Sequence, residues 1–177
     1  TMVWKGCHSL PRRRRAASSR LATSSSDWPG RTVGSTSASA ADANSAILNV
    51  ATVESTGAGN LTLWPCGTDR PTASSVNYFA NSVRSVAVYG KLDATGKLCV
   101  YALQSTHVII DVNGYQPNSS SAFTTLNPAR LLDTRAGQTT IDGQFNGQGR
   151  RGAGTTLELA VTGRGGVLPP RRPFAAT

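Results

Sequence analysis

Apolar residues in the middle of the chain occur in short runs that alternate with polar positions. Leu61 and Leu63 fall on one face of the segment 60–65, whereas residues 46–53 and 106–112 are nearly continuous apolar runs rich in β-branched side chains. A period of two is typical of half-buried strands, and short continuous runs are typical of fully buried ones. The pattern predicts seven or more strands, over residues 46–53, 60–65, 81–89, 97–103, 106–112, 130–134 and 155–161.

Turn residues separate these runs and add local detail. Residues 93–96 read Asp-Ala-Thr-Gly, which predicts a hairpin turn into the strand 97–103. Asn113-Gly114 predicts the end of the strand 106–112. The alternation within 81–89 slips once, which predicts a β-bulge.

The composition agrees with an all-β chain. Hydrophobic residues make up 38% and charged residues 15%, and the chain has 18 Gly, 9 Pro and one Met. The scarcity of Glu and Lys argues against a helical bundle and against a doubly wound α/β enzyme, because helices need good helix formers. No apolar run approaches the roughly 18 residues that span a bilayer. We therefore expect an antiparallel β-sandwich or barrel-like domain without a membrane span.

The net charge of +9 is concentrated at the two ends of the chain. Residues 1–31 carry seven basic groups against one acidic group, and residues 32–170 carry nine against eight. The body is therefore nearly neutral, and we expect no specific nucleic-acid partner. Residues 1–30 lack the apolar segment of a signal peptide, so we expect a disordered, non-native or out-of-frame tail there and a second disordered tail over 169–177. The single β domain is expected over 31–168.

Two of the three cysteines lie in or beside predicted strands. The Ser/Thr/Asn-rich, Lys-poor composition is typical of exported proteins, so we interpret Cys66 and Cys99 as a disulfide that closes a loop of about 34 residues. Two buried free thiols are the alternative. Cys7 lies in the basic N-terminal segment. With two His residues and no CxxC motif the chain has no zinc ligand set, and we expect neither a metal nor another cofactor.

An ordered series of motifs links this chain to a known kind of repeat. The motifs are LNV at 48–50, GNLTLWPCG at 59–67, NY at 77–78, LCVY at 98–101, HVIIDVNGY at 107–115, PARLLDTR at 128–135 and VTG at 161–163. Over roughly residues 38–168 they resemble a tandem repeat of exported actinobacterial cell-surface proteins. The resemblance implies a secreted β-rich domain with the two cysteines joined, and it implies no established activity.

The order of the motifs departs from that repeat. There the PARLLDTR half-unit comes first, whereas here the second half-unit (38–116) precedes a junction (117–123) and the first half-unit (124–168). The chain is therefore expected to be a fragment of a longer array. The two half-units could close as a permuted monomer, which we prefer, or exchange strands in an oligomer.

Two groups of residues are candidates for chemistry. His107 and Asp111 are four apart on a predicted strand and so point to the same face, as a small ester or glycoside hydrolase could use them. The chain has no GxSxG motif, however. The alternative is that His107 caps a strand while Asp111 binds backbone N–H groups or an arginine.

The second group is Arg130, Asp133 and Arg135, which could hydrogen-bond sugar hydroxyls beside a stacking ring of Trp64 or Tyr78. The alternative is a buried ion pair that fixes a strand corner. Calcium-loop, P-loop and dinucleotide motifs are absent from the sequence.

These observations favour a secreted, non-catalytic cell-surface or adhesive module. A module that binds carbohydrate or cell-wall glycans is the first alternative, and a small secreted hydrolase using His107 with a nearby carboxylate is the second.

Overall fold

Eight antiparallel strands form two sheets in the computed structural model, which describes residues 43–169. The strands are β1 (Ala43–Val53), β2 (Gly59–Pro65), β3 (Val76–Tyr78), β4 (Arg84–Lys91), β5 (Lys97–Ala102), β6 (His107–Pro117), β7 (Thr124–Asp133) and β8 (Thr155–Ala160). The first sheet has the order β4-β1-β6-β7 and the second β3-β2-β5-β8. The described residues contain no helix, so none that could cross a membrane, and the predicted all-β class is confirmed as a β-sandwich.

The alternating residues of both sheets meet in one hydrophobic core. Leu48, Val50 and Ile110 enter it from the first sheet, and Leu61 and Leu98 enter it from the second. Their polar neighbours along each strand point outward, because successive side chains of a strand face opposite sides. The core therefore explains the period of two in the sequence.

The seven predicted strands correspond to seven of the eight observed, with shifted ends. The additional strand, β3, has three residues, too few to show a period in the sequence. Its two apolar side chains are nevertheless buried, because β3 pairs with β2 at the edge of the second sheet.

Three local predictions need correction. Asn113-Gly114 does not end β6: the strand continues to Pro117, with a register shift between residues 112 and 114. The turn 93–96 forms, with Gly96 N–H bonded to the Asp93 carbonyl at 3.0 Å, but it joins β4 to β5 in different sheets and is not a hairpin. The β-bulge expected within 81–89 is instead a turn at Asn81, followed by the start of β4. The register shifts lie in the β1–β6 and β6–β7 pairs.

The parts of the chain on either side of the junction 117–123 both contribute to both sheets. β1 to β6 end at or before Pro117, the first residue of the junction 117–123, and β7 and β8 follow the junction. β7 pairs with β6 at one edge of the first sheet, and β8 pairs with β5 at one edge of the second. The two halves are thus closed within one chain.

Residues 1–42 and 170–177 lie outside the described residues. They include Cys7, the predicted tail 1–30 and all of the predicted tail 169–177 except Pro169.

Candidate functional site

The densest group of charged side chains lies on the outer face of the first sheet, where β6 and β7 pair. Asp111 on β6 lies opposite Arg130 on β7, and Ile109 lies opposite Asp133. A register shift between Ile110 and Asp111 accompanies this pairing. Asp111, Arg130, Asp133 and Arg135 therefore come together as one ion-pair cluster.

Arg130 connects the two carboxylates of the cluster. Its Nε donates to Asp111 Oδ1 at 2.7 Å, its Nη2 to Asp111 Oδ2 at 3.3 Å and its Nη1 to Asp133 Oδ2 at 2.8 Å. The hydrogen bonds to Asp111 raise the pKa of Arg130. This matches the alternative in which Asp111 binds an arginine.

Asp133 is the buried centre of the cluster, with a fully inaccessible side chain. Besides Arg130, its carboxylate accepts hydrogen bonds from the Arg135 backbone N–H at 3.1 Å, from Arg135 Nε at 3.0 Å and from Arg135 Nη2 at 2.8 Å. Burial alone would raise the pKa of Asp133, but the hydrogen bonds and positive charges of Arg135 and Arg130 lower it overall. The carboxylate therefore stays ionised and fixes the end of β7.

His107 meets a hydroxyl, as a hydrolase would require, but this hydroxyl is buried. His107 Nδ1 lies 3.0 Å from Thr134 Oγ1, which also accepts the backbone N–H of Val108 at 3.0 Å. Thr134 has no accessible surface. The Thr134 hydroxyl is therefore held between the His107 ring and the backbone of β6. Burial and the positive charge of Arg150 lower the pKa of His107, which keeps the ring neutral at neutral pH.

His107 and Asp111 share a face of β6, as predicted, but the structure does not bring them together. Four residues of strand separate their Cα atoms by roughly 13 Å. The carboxylate nearest to His107 is Glu54, whose Oε2 lies 3.8 Å from Nε2 and accepts a hydrogen bond from Arg150 at 2.8 Å. Each of these groups already has a structural partner.

Trp64 and Tyr78 do not provide the expected stacking ring. Trp64 is 8% exposed, packs on the two cysteines and donates its indole N–H to the Thr68 carbonyl at 3.0 Å. Tyr78 is 1% exposed and donates its hydroxyl proton to the Gln104 carbonyl at 2.7 Å. Both rings fill the structure because their polar atoms find backbone partners, so neither offers a free face to a sugar.

The predicted disulfide is confirmed. It joins Cys66, directly after β2, to Cys99 on β5, with their Cα atoms 5.0 Å apart. Glu158 of β8 lies beside the two sulfurs. Sulfurs bonded to each other are not thiolates, so this group is not a metal-ligand set.

A shallow polar hollow lies beside the ion-pair cluster. It has a volume of about 350 Å³ and is lined by Asp111, Pro128, Arg130, Gln138 and Thr139. Sequence reasoning missed Gln138 and Thr139, because a loop residue carries no periodic signal of what it faces.

Comparisons with protein-family models, with curated proteins and with solved structures find no match to this chain. The resemblance to exported surface repeats stays a prediction.

Proposed function

We propose that this chain is an exported, non-catalytic β-sandwich module of a cell surface, with a structural or adhesive role. The observation that carries the proposal is the Cys66–Cys99 bridge between neighbouring strands. Disulfides persist in oxidising compartments and are rare in the cytosol. The resemblance of the motifs to exported surface repeats points to the same habitat.

The surroundings of His107 support a non-catalytic role. A nucleophile must reach its substrate. The Thr134 hydroxyl is buried, and its oxygen accepts a hydrogen bond from the N–H of Val108. The four charges of the ion-pair cluster neutralise one another in pairs. Such pairs hold strands and loops in place.

The test of export uses a chain that carries Cys7→Ser. It compares two preparations of this chain, one produced with a secretion signal and one produced in a reducing cytosol. We expect no titratable thiol in the exported preparation. Reduction should lower its melting temperature by on the order of 10 °C, because a loop of this length contributes about 3–4 kcal/mol. The matched control, which also carries Cys66→Ser and Cys99→Ser, should not respond to reductant. Free thiols in the exported chain, or a melting temperature that does not change when reductant is added, would overturn the proposal.

The same exported preparation distinguishes the hydrolase alternative. It is incubated with p-nitrophenyl acetate, p-nitrophenyl butyrate and p-nitrophenyl glucoside, alongside His107→Ala and Thr134→Val variants. We expect nitrophenol release at the buffer rate from all three proteins. Release that depends on both His107 and Thr134 would establish the hydrolase and contradict a non-catalytic role.

A further inference from the structure

The polar hollow beside the ion-pair cluster combines hydrogen-bond donors and acceptors without an excess of charge. We propose that it binds a neutral polyhydroxyl ligand, a single sugar unit held by neighbouring hydroxyl groups. Its volume of about 350 Å³ is at the small end of ligand sites, which is appropriate to one ring. Such a site adds a ligand to the surface module, and it stands whether or not the chain is exported.

Arg130 supplies unused donors at the wall of the hollow. A guanidinium has five N–H groups, and three of those of Arg130 bond to Asp111 and Asp133. The other two, one on Nη1 and one on Nη2, have no partner among residues 43–169. The side chain is 34% exposed and lines the hollow.

Asp111 places acceptors next to these donors. Each of its carboxylate oxygens accepts one hydrogen bond from Arg130, which leaves about half of its lone-pair positions unused. A sugar hydroxyl both donates and accepts, and two adjacent hydroxyls match a guanidinium beside a carboxylate. The exposed Gln138 amide and Thr139 hydroxyl, which also line the hollow, offer the same mixed chemistry.

Ion pairs and a backbone hydrogen bond hold the residues that line the hollow. The buried carboxylate of Asp133 holds Arg130, and Arg135 in turn holds Asp133. The loop that carries Gln138 and Thr139 is tied to β7 by the hydrogen bond from Ile141 N–H to the Arg130 carbonyl at 2.9 Å. A site that is fixed in advance loses less conformational entropy on binding.

The charges of the cluster select a neutral ligand. Two carboxylates and two guanidiniums sum to zero, so an anion would face Asp111 and a cation would face Arg130. Pro128 adds a small apolar patch for the C–H face of a ring. Binding of phosphate and of calcium is therefore compared with binding of a sugar, to test whether the hollow prefers a neutral ligand.

The test titrates the full chain with methyl glycosides of glucose, galactose, mannose and N-acetylglucosamine, and separately with inorganic phosphate and calcium chloride. Binding is followed by amide chemical shifts in NMR spectra. We expect at least one glycoside to shift the amides of residues 111, 130, 138 and 139 in a saturable way, while phosphate and calcium leave them unchanged.

A loop variant keeps the test independent of folding. Gln138→Ala with Thr139→Ala changes two exposed side chains and should weaken glycoside binding about tenfold, through the loss of about two hydrogen bonds. The control Thr156→Ala changes an exposed residue of β8 in the second sheet and should leave binding unchanged.

Absence of saturable glycoside shifts, shifts confined to other residues, an unweakened loop variant, or a response to phosphate or calcium alone would each overturn the sugar site. None of these results bears on thiol content or nitrophenol release, so the surface-module proposal is judged separately.

Discussion

At the scale of single residues, a buried arginine near the end of the described chain stabilises a long loop. Arg164 is 6% exposed and donates to Asp142 Oδ2 at 2.6 Å and Oδ1 at 2.8 Å. It also donates to the carbonyls of Ala160 and Leu131, both at 2.8 Å. One guanidinium therefore joins the end of β8, strand β7 and the loop that contains Asp142.

This contact predicts a loss of stability in acid. The hydrogen bond from Arg164 lowers the pKa of Asp142 from 3.8 to about 2. Between these two values the unfolded chain binds more protons than the folded chain. The contribution of Asp142 to stability is therefore fully present above a pH of about 4, and it is lost as the pH falls towards about 2. Asp93 and Asp133, whose pKa values are also lowered, act in the same direction.

Melting temperatures measured across this pH range check the prediction. Asp142→Asn should melt lower than the parent at neutral pH, and its melting temperature should fall less on acidification. Asp69→Asn, at an exposed position after β2 with no ion pair among residues 43–169, is the control and should follow the parent curve. Parallel curves for Asp142→Asn and the parent would contradict the assigned role of Asp142.

At the scale of elements, the turn between β4 and β5 determines how the chain passes from one sheet to the other. Asp93 Oδ1 accepts hydrogen bonds from the Thr95 N–H at 2.8 Å and the Lys97 N–H at 2.9 Å. Gly96 has a left-handed φ of 78°, and its carbonyl accepts the Val161 N–H at 3.0 Å. The turn is thus tied to the residues that follow β8.

Gly96→Ala should destabilise the protein more than an alanine at another left-handed glycine. A Cβ at Gly96 would overlap the side chain of Thr162, whereas one at Gly137, with a φ of 72°, would meet no atom within 4 Å. Each change lowers the free energy of unfolding by about 1–2 kcal/mol, because alanine disfavours the left-handed backbone. Gly96→Ala lowers it by about 1–3 kcal/mol more, because its Cβ is overpacked against Thr162. Urea unfolding of the two variants measures the difference, and equal losses would refute the close contact.

The strands and turns also show how far a local sequence pattern can predict structure. The turn residues 93–96 were recognisable because Asp and Gly have strong local preferences, but whether a turn joins paired strands or crosses between sheets depends on distant partners. The three residues of β3 carry no period at all. Their strand conformation comes from pairing with β2.

At the scale of the whole molecule, the parts of the chain before and after the junction 117–123 form one core. β7 and β8 come from the second part of the chain, and each occupies an edge of a sheet whose other strands come from the first part. Leu131 and Leu159 from these edge strands belong to the same core as Val108 and Leu98. The halves therefore depend on each other for burial of their apolar residues.

Cleavage between the halves should leave them associated. A protease recognition sequence inserted after Ser119, in the exposed junction, allows the folded chain to be cut. We expect both pieces to elute together in gel filtration, because strand pairing and the common core hold them, and to separate in urea. The uncut insertion protein is the control. Separation in native buffer would show that the two half-units fold independently.

Local information in the sequence determined the all-β class and most strand positions, because alternation and turn preferences act over a few residues. The pairing of Cys66 with Cys99 was predicted from the exported-type composition, and the structure brings the two residues together. The tertiary structure alone decided the neighbours of each strand and hence the ion-pair cluster, since Asp111 and Arg130 meet only through the register of β6 and β7. It also decided that Trp64 and Tyr78 are buried. Alternation shows which side chains share a face, but what covers that face depends on the packing of segments far apart in the chain.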